Sequence, residues 1–198
     1  LIEVQFDKVL DAQQVYRLLL DAMARPGKIN TLSMSECLKP PRGLQSGTAA
    51  VALTLLDQGT GFCFLSAGRQ EPDYLTANTG AAAQSVDVAE LIIFSGCECV
   101  QLDKVCCGSL LSPEQGATLL IMVEELSSTE GRLCLRLTGP GIRNHCDLFI
   151  NGLALKNLET ISCMNKEFPL GIDVIYTDKS GNVACIPRSS SMHWKVKG

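Results

Sequence analysis

Hydrophobic positions recur at helical spacing most clearly over residues 11–25, DAQQVYRLLLDAMAR, where Ala12, Val15, Leu19, Ala22 and Met23 fall on one face. Asp11 suits a helix cap, Gln14 stands at capping-box spacing, and Arg25 followed by Pro26-Gly27 marks the end. Arg17 lies off the apolar face and is available to a partner or to solvent. At the other end of the chain the period changes to that of a strand. Residues 172–177 and 183–186 are β-branched and apolar, and the five residues between them, DKSGN, carry turn chemistry, with Gly181 or Asn182 able to take a positive φ. This hairpin is entered through Phe168-Pro169-Leu170-Gly171 and left through Pro187-Arg188, a proline that stops the ladder and then a cation.

Between these ends the pattern predicts a strand over 28–34, a loop over 39–43, and a helix over 48–57 capped by Ser46 or Thr48 with Gly59 beyond its end. It then predicts a buried strand over 62–65, a short helix over 72–78, and another strand over 90–95; the alanine-rich 80–85 is ambiguous. Residues 96–111 are rich in cysteine and poorly periodic. The run 117–126 reads as one ten-residue strand, 127–131 as a hairpin loop and 132–138 as its return, closed by Gly139-Pro140-Gly141. A last helix is expected over 152–165. Alternating strands and helices point to an α/β layer architecture, and without repeats or low-complexity linkers the 198 residues read as a single domain.

A hydrophobic fraction of 46% fits a globular chain, and no apolar run reaches the ~18–20 residues of a membrane span. The net charge of −4 and the lack of a basic run argue against a general nucleic-acid surface. The chain opens at Leu1 with no basic and apolar leader, so no targeting signal is expected; the missing initiator methionine suggests that a short segment precedes it. Ten cysteines are scattered, several within apolar strands, such as Cys63 and Cys134, and read as reduced packing thiols in the cytoplasm.

Candidate chemistry is sparse. Cys97-x-Cys99 and Cys106-Cys107 lack the paired spacing of a zinc site, and no histidine is near in sequence, so no metal site is expected. Of the two histidines, His145 falls in a loop and His193 in a polar tail, and there is no G-x-S-x-G elbow. Phosphate-loop and dinucleotide fingerprints are absent; Gly139-Pro140-Gly141 is a strand-ending turn that could also aim N–H groups at an anion. Arg17, Arg25, Arg136 and Arg188 each stand on or beside an ordered element. A guanidinium suits phosphate or phosphonate oxygens, yet equally suits a carboxylate of the chain itself. Asp173, at the start of the C-terminal hairpin, reads as a buried acid or as the wet face of a strand.

Three stretches together resemble the PhnH family, a subunit of the bacterial carbon–phosphorus lyase machinery. They are DAQQVYRLLLDAMARPG (11–27), GATLLIMVEEL with LRLTGPGI (116–126 and 135–142), and FPLGIDVIYT with IPRSS (168–177 and 186–190). The resemblance implies a mixed β-sheet sandwiched between helices, similar to a reduced PLP-dependent transferase fold but without PLP, in a homodimer. It further implies membership of a cytoplasmic assembly that displaces adenine from MgATP with a phosphonate, giving ribose 1-phosphonate 5-triphosphate. A separate iron–sulfur subunit later cleaves the carbon–phosphorus bond. MgATP and phosphonate are then substrates of the complex, the partners are a second copy and the other lyase subunits, and the chain is not expected to be active alone. The matching positions Arg17, Arg25, Arg136, Thr138, Gly141, Asp173 and Arg188 are implied to bind a ligand or a partner. Two other readings stay open: a purely scaffolding subunit in which these motifs specify turns and contacts, and a catalytic one using Asp173 or His145. The segment 96–111 matches no motif of the family.

Overall fold

A computed structural model describes residues 6–33, 38–65 and 68–196; the end of the strand expected over 28–34, and Cys37, lie outside these. In chain order the helices are α1 (Leu10–Ala24), α2 (Ser46–Leu55), α3 (Gln70–Thr79) and α4 (Leu155–Met164). The strands are β1 (Asn30–Thr31), β2 (Gly61–Leu65), β3 (Ala82–Ala83), β4 (Leu91–Ser95), β5 (Thr118–Met122), β6 (Glu125–Ser127), β7 (Leu133–Thr138), β8 (Cys146–Asn151), β9 (Asp173–Thr177), β10 (Asn182–Ile186) and β11 (Ser191–Val196).

Seven strands form a mixed sheet in the order β1-β10-β9-β5-β4-β2-β3. The run from β9 to β3 is parallel, and β10 and β1 are added antiparallel at one edge. The other four strands form an antiparallel sheet, β11-β7-β8-β6. The central strand β5 is apolar and buried from Leu119 to Met122 because both of its faces are covered. Leu120 and Met122 pack with Val15 and Leu19 of α1 and Ala49–Ala52 of α2. On the opposite face Leu119 and Ile121 meet Leu135, Leu137, Leu148 and Ile150 of the second sheet and Leu158 and Ile161 of α4. The mixed sheet expected from the family is present, but it is not sandwiched between helices: α1 to α3 cover one face, and the second sheet with α4 covers the other.

Local differences from the pattern have physical causes. Asp7, not Asp11, caps α1: its Oδ1 accepts the N–H groups of Val9 and Leu10 at 2.8 and 2.9 Å, while Asp11 Oδ2 accepts the Asp7 N–H at 2.8 Å. Neither expected cap serves α2. Ser46 gives its hydroxyl to the Leu38 carbonyl, and Thr48 is buried against Thr177 on β9, the two hydroxyls 2.7 Å apart. The supposed ten-residue strand is two strands in different sheets. The chain bends at Val123-Glu124, and β6 then pairs with β8, not with β7. No hairpin joins β6 and β7, because β8 lies between them. Residues 152–154 precede α4 instead of belonging to it, and a 3-10 turn over Asn165–Glu167 follows it. The irregular segment 96–111 is organised by Asn157 of α4, almost fully buried, whose amide donates to the Glu98 carbonyl and accepts the Val100 N–H.

The C-terminal hairpin forms as the pattern indicates, with Val183 opposite Thr177 and Ile186 opposite Val174. Gly181 takes the positive φ of its turn, 78°. The buried Asp178 carboxylate holds that turn through the N–H groups of Ser180 and Asn182, and reaches across to the Leu126 N–H on β6 at 3.0 Å. One side chain thereby ties the two sheets. Asp178→Ala leaves these buried donors without an acceptor, and we expect a loss of about 2–4 kcal/mol of unfolding free energy in a urea titration; a loss below about 1 kcal/mol would show that the tie is dispensable.

Candidate functional site

Helix α1 ends where the chain can turn sharply. Gly27 takes φ 84° and donates its N–H to the Cys185 carbonyl at 3.2 Å. A Cβ there would come within 2.8 Å of Cys146 Sγ and 2.9 Å of Leu137, so only glycine lets the end of α1 lie on the second sheet. The connection from β7 to β8 answers from the other side. Gly141, φ 82°, has no room for a Cβ against the Ala24 carbonyl, and Gly139 abuts Ser189 and Ser190. The Pro-Gly and Gly-Pro-Gly motifs, more than a hundred residues apart, are therefore one interlocked junction.

Beside that junction opens a cleft of about 530 Å³ whose charged lining is Arg25, Lys28, Arg143, His145 and Asp147. Asp21 on α1 accepts both Arg25, at 2.6 Å, and Lys28, at 2.5 Å. The hydrogen bond from Lys28, with help from Asn30 and the charge of Arg25, holds the Asp21 carboxyl below its usual range. Arg136 projects from β7 and grips Asp147 on the adjacent strand in two parallel bonds of 2.8 and 2.7 Å. That grip, with the nearby charges of His145 and Lys195, lowers the Asp147 carboxyl. Arg143 and His145 are exposed and have no ion-pair partner among the described residues. The cleft can therefore receive an anionic group without breaking any bond of theirs.

Of the seven positions singled out in sequence, Arg25 and Gly141 line this cleft, and Arg136 reaches it through Asp147. Thr138 ends β7, paired with Ser191, immediately before the glycine turn. Arg17 stands two turns earlier on α1, exposed and without an ion-pair partner among the described residues. Arg188 and Asp173 form a separate, inward-facing cluster. Asp173 Oδ1 accepts the Arg188 N–H at 2.8 Å, and its Oδ2 accepts Nε at 3.2 Å and Nη2 at 2.7 Å. The guanidinium also donates to the carbonyls of Pro113, at 2.6 Å, and Gly116, at 3.3 Å. Four of its five N–H donors are thus engaged within the chain. A Cβ on Gly116 would overlap Nη1, so that glycine makes the seat.

Sequence reading missed Lys28, Arg143 and Asp147. Asp147 lies on β8, a strand the pattern did not yield, although Leu148 and Ile150 alternate there with Asp147, Phe149 and Asn151. His193 is not in a tail: it lies on β11, opposite Arg136. Among the described residues no three His, Cys, Asp or Glu side chains gather as a metal-ligand set. Cys97 and Cys99 are exposed, and Cys106 and Cys107 are half-buried. Burial pushes the Cys185 thiol up to about 12, so it is a packing group and not a nucleophile at neutral pH.

The two arginine–carboxylate pairs differ in burial, and their loss is expected to differ in cost. The Arg188 side chain is 12% exposed and that of Arg136 is 53% exposed. Arg188→Gln strands Asp173 and two backbone carbonyls, and is expected to cost about 3–5 kcal/mol by urea unfolding. Arg136→Gln breaks a wet pair and is expected to cost less than about 1 kcal/mol. Equal losses in the two variants would contradict this ranking.

A family model described as bacterial phosphonate metabolism protein (PhnH) matches residues 5–193. The chain is 33% identical over 190 residues to the alpha-D-ribose 1-methylphosphonate 5-triphosphate synthase subunit PhnH of Rhizobium meliloti (strain 1021), covering 94% of this chain and 92% of the relative. It is 32% identical over 187 residues to HtxG of Stutzerimonas stutzeri, named as a candidate C-P lyase subunit, covering 94% of this chain and 87% of the relative. The match takes in all three signature stretches, including both halves of the interlocked glycine junction, and the chain belongs to the PhnH family of bacterial phosphonate metabolism proteins.

Proposed function

We propose that this chain is a subunit of the carbon–phosphorus lyase assembly, acting where a phosphonate displaces adenine from MgATP to give ribose 1-phosphonate 5-triphosphate. The observation that carries the reading is the near full-length similarity to a relative named as a subunit of that synthase. Within the assembly the cleft beside the glycine junction meets an anionic group, either a phosphoryl-type oxygen set of a substrate or a carboxylate of a neighbouring subunit. Arg143 and His145 supply the unpaired donors, and Arg25 and Lys28 add to the positive potential. No PLP is bound, and the reduced PLP-transferase likeness, the homodimer and the cytoplasmic setting belong to this same proposal. No helix among the described residues is long and apolar enough to cross a membrane.

The scaffolding alternative has support at two positions. Arg136 and Arg188 are already held by Asp147 and Asp173, so their part of the family signature specifies structure. The catalytic alternative loses Asp173 as an acid–base group, because three donors of Arg188 occupy its oxygens.

The test is adenine release from MgATP and methylphosphonate by the other synthase subunits, with and without this chain, and by this chain alone. Release is expected only in the full mixture. With Arg143→Gln the mixture is expected to lose about tenfold or more in rate, while the thermal midpoint of the variant stays put because the side chain is exposed. Release that does not depend on the chain sinks the assignment, and release by the chain alone makes it the catalyst.

A further inference from the structure

A second concentration of positive charge lies away from the cleft, where the loop over residues 38–45 meets the start of α2 and the turn between β9 and β10. A cavity of about 310 Å³ there is lined by Lys39, Arg42 and Lys179, with Gln45 and Ser46. Lys39 and Arg42 share one loop, Lys179 comes from a turn well over a hundred residues later, and among the described residues no aspartate or glutamate is in the wall. None of the three has an ion-pair partner among the described residues, whereas Arg25, Lys28, Arg136 and Arg188 each sit on a carboxylate. Shortage of acid is not the cause, since the chain has 21 acidic residues against 17 basic ones.

Two carboxylates come near and are withheld. Glu71 is buried and accepts the Gly43 N–H at 3.1 Å. Asp178 is buried and committed to the N–H groups of its own turn and of Leu126. At the start of α2, Gln45 Nε2 donates to the Val123 carbonyl and Ser46 Oγ to the Leu38 carbonyl. Helix α2 therefore has no side-chain cap, and the positive end of its dipole adds to the potential of the three cations. The parts are also fixed in place. Gly47 lies against the turn, where a Cβ would be 3.3 Å from Gly181 Cα, and Asp178 locks the turn that bears Lys179.

We propose that this cavity is a binding site for a multiply charged phosphate group, a polyphosphate or the polyphosphate tail of a nucleotide, held by Lys39, Arg42 and Lys179. Like charges gathered in one concave wall repel one another, and an oxyanion of charge two or more relieves that repulsion while taking several charge-assisted hydrogen bonds. The site does not depend on the subunit reading above and is tested on the chain by itself.

The experiment is calorimetric titration of the purified chain with sodium tripolyphosphate at low ionic strength, repeated with ATP. Saturable binding is expected, weakening as salt is raised. Simultaneous Lys39→Gln, Arg42→Gln and Lys179→Gln substitutions are expected to weaken it about tenfold or more, with an unchanged circular dichroism spectrum and thermal midpoint in the absence of ligand. Lys166→Gln, exposed on the turn after α4 and outside both linings, is expected to bind as the unaltered chain does. Equal affinity for tripolyphosphate and ATP points to polyphosphate itself, and tighter ATP binding to a nucleotide; both support the site. Unchanged affinity after the triple substitution, equal weakening by Lys166→Gln, or no saturable binding at low salt overturns it.

Discussion

Strand β9 is bracketed by two aspartates, and the architecture depends on what they hold. The chain passes from the mixed sheet to the second sheet at two places: Val123-Glu124, between β5 and β6, and residues 187–190, between β10 and β11. Asp178, just past the end of β9, accepts the Leu126 N–H at the first crossing. Asp173, at the start of β9, accepts the backbone and guanidinium N–H groups of Arg188 at the second. A crossing between sheets leaves the ladder and exposes backbone donors that must find acceptors. Here both sets find them at the two ends of β9, so the two sheets are held against each other. Arg188 extends the clamp to the carbonyls of Pro113 and Gly116, the turn that feeds β5.

The cleft follows from this clamp. With the second sheet held against the first, the turn after β7 is carried to the end of α1, and glycines at 27, 139 and 141 let the backbones meet where any Cβ would collide. Electrostatics then divide the cations into two groups. Arg25, Lys28, Arg136 and Arg188 are matched by Asp21, Asp147 and Asp173, whereas Arg143 faces the cleft unmatched. The matched group fixes geometry and the unmatched one leaves a field for something else to satisfy.

How much of this could be read in advance depended on what each segment buries. Helix α1 was legible because one face is buried and the other wet, and the parallel strands because they are apolar on both faces. The run 117–126 misled because apolar character continues through Val123, and the Glu124-Glu125 pair at the passage between sheets reads equally well as the wet end of a single strand. Strands β8 and β11 were missed although a signal exists: Met192 and Trp194 face the core between polar neighbours in β11, while in β8 the core-facing Leu148 and Ile150 flank an equally apolar Phe149 that blurs the alternation. The outward Asp147, Asn151, His193 and Lys195 made those stretches read as loop and tail. The cleft was half legible. Its glycine turns stood out, but its unpaired cation lies in a loop, and the carboxylate that claims Arg136 lies on an unrecognised strand.

An arginine in a family signature therefore has two physical readings, and the count of its free donors separates them. Arg188 has given four of five N–H groups to the chain. Binding an oxyanion there would release Asp173 and two main-chain carbonyls in a half-buried setting, a cost that a new ion pair does not recover. Arg136 is wetter and its carboxylate could be exchanged for another anion at smaller cost, yet the pairing is already bidentate and loses nothing by staying. Arg143 starts with no bond to break. On the proposed reading, recognition falls to residues the fold does not need, while Arg136 and Arg188 build the surface on which they stand.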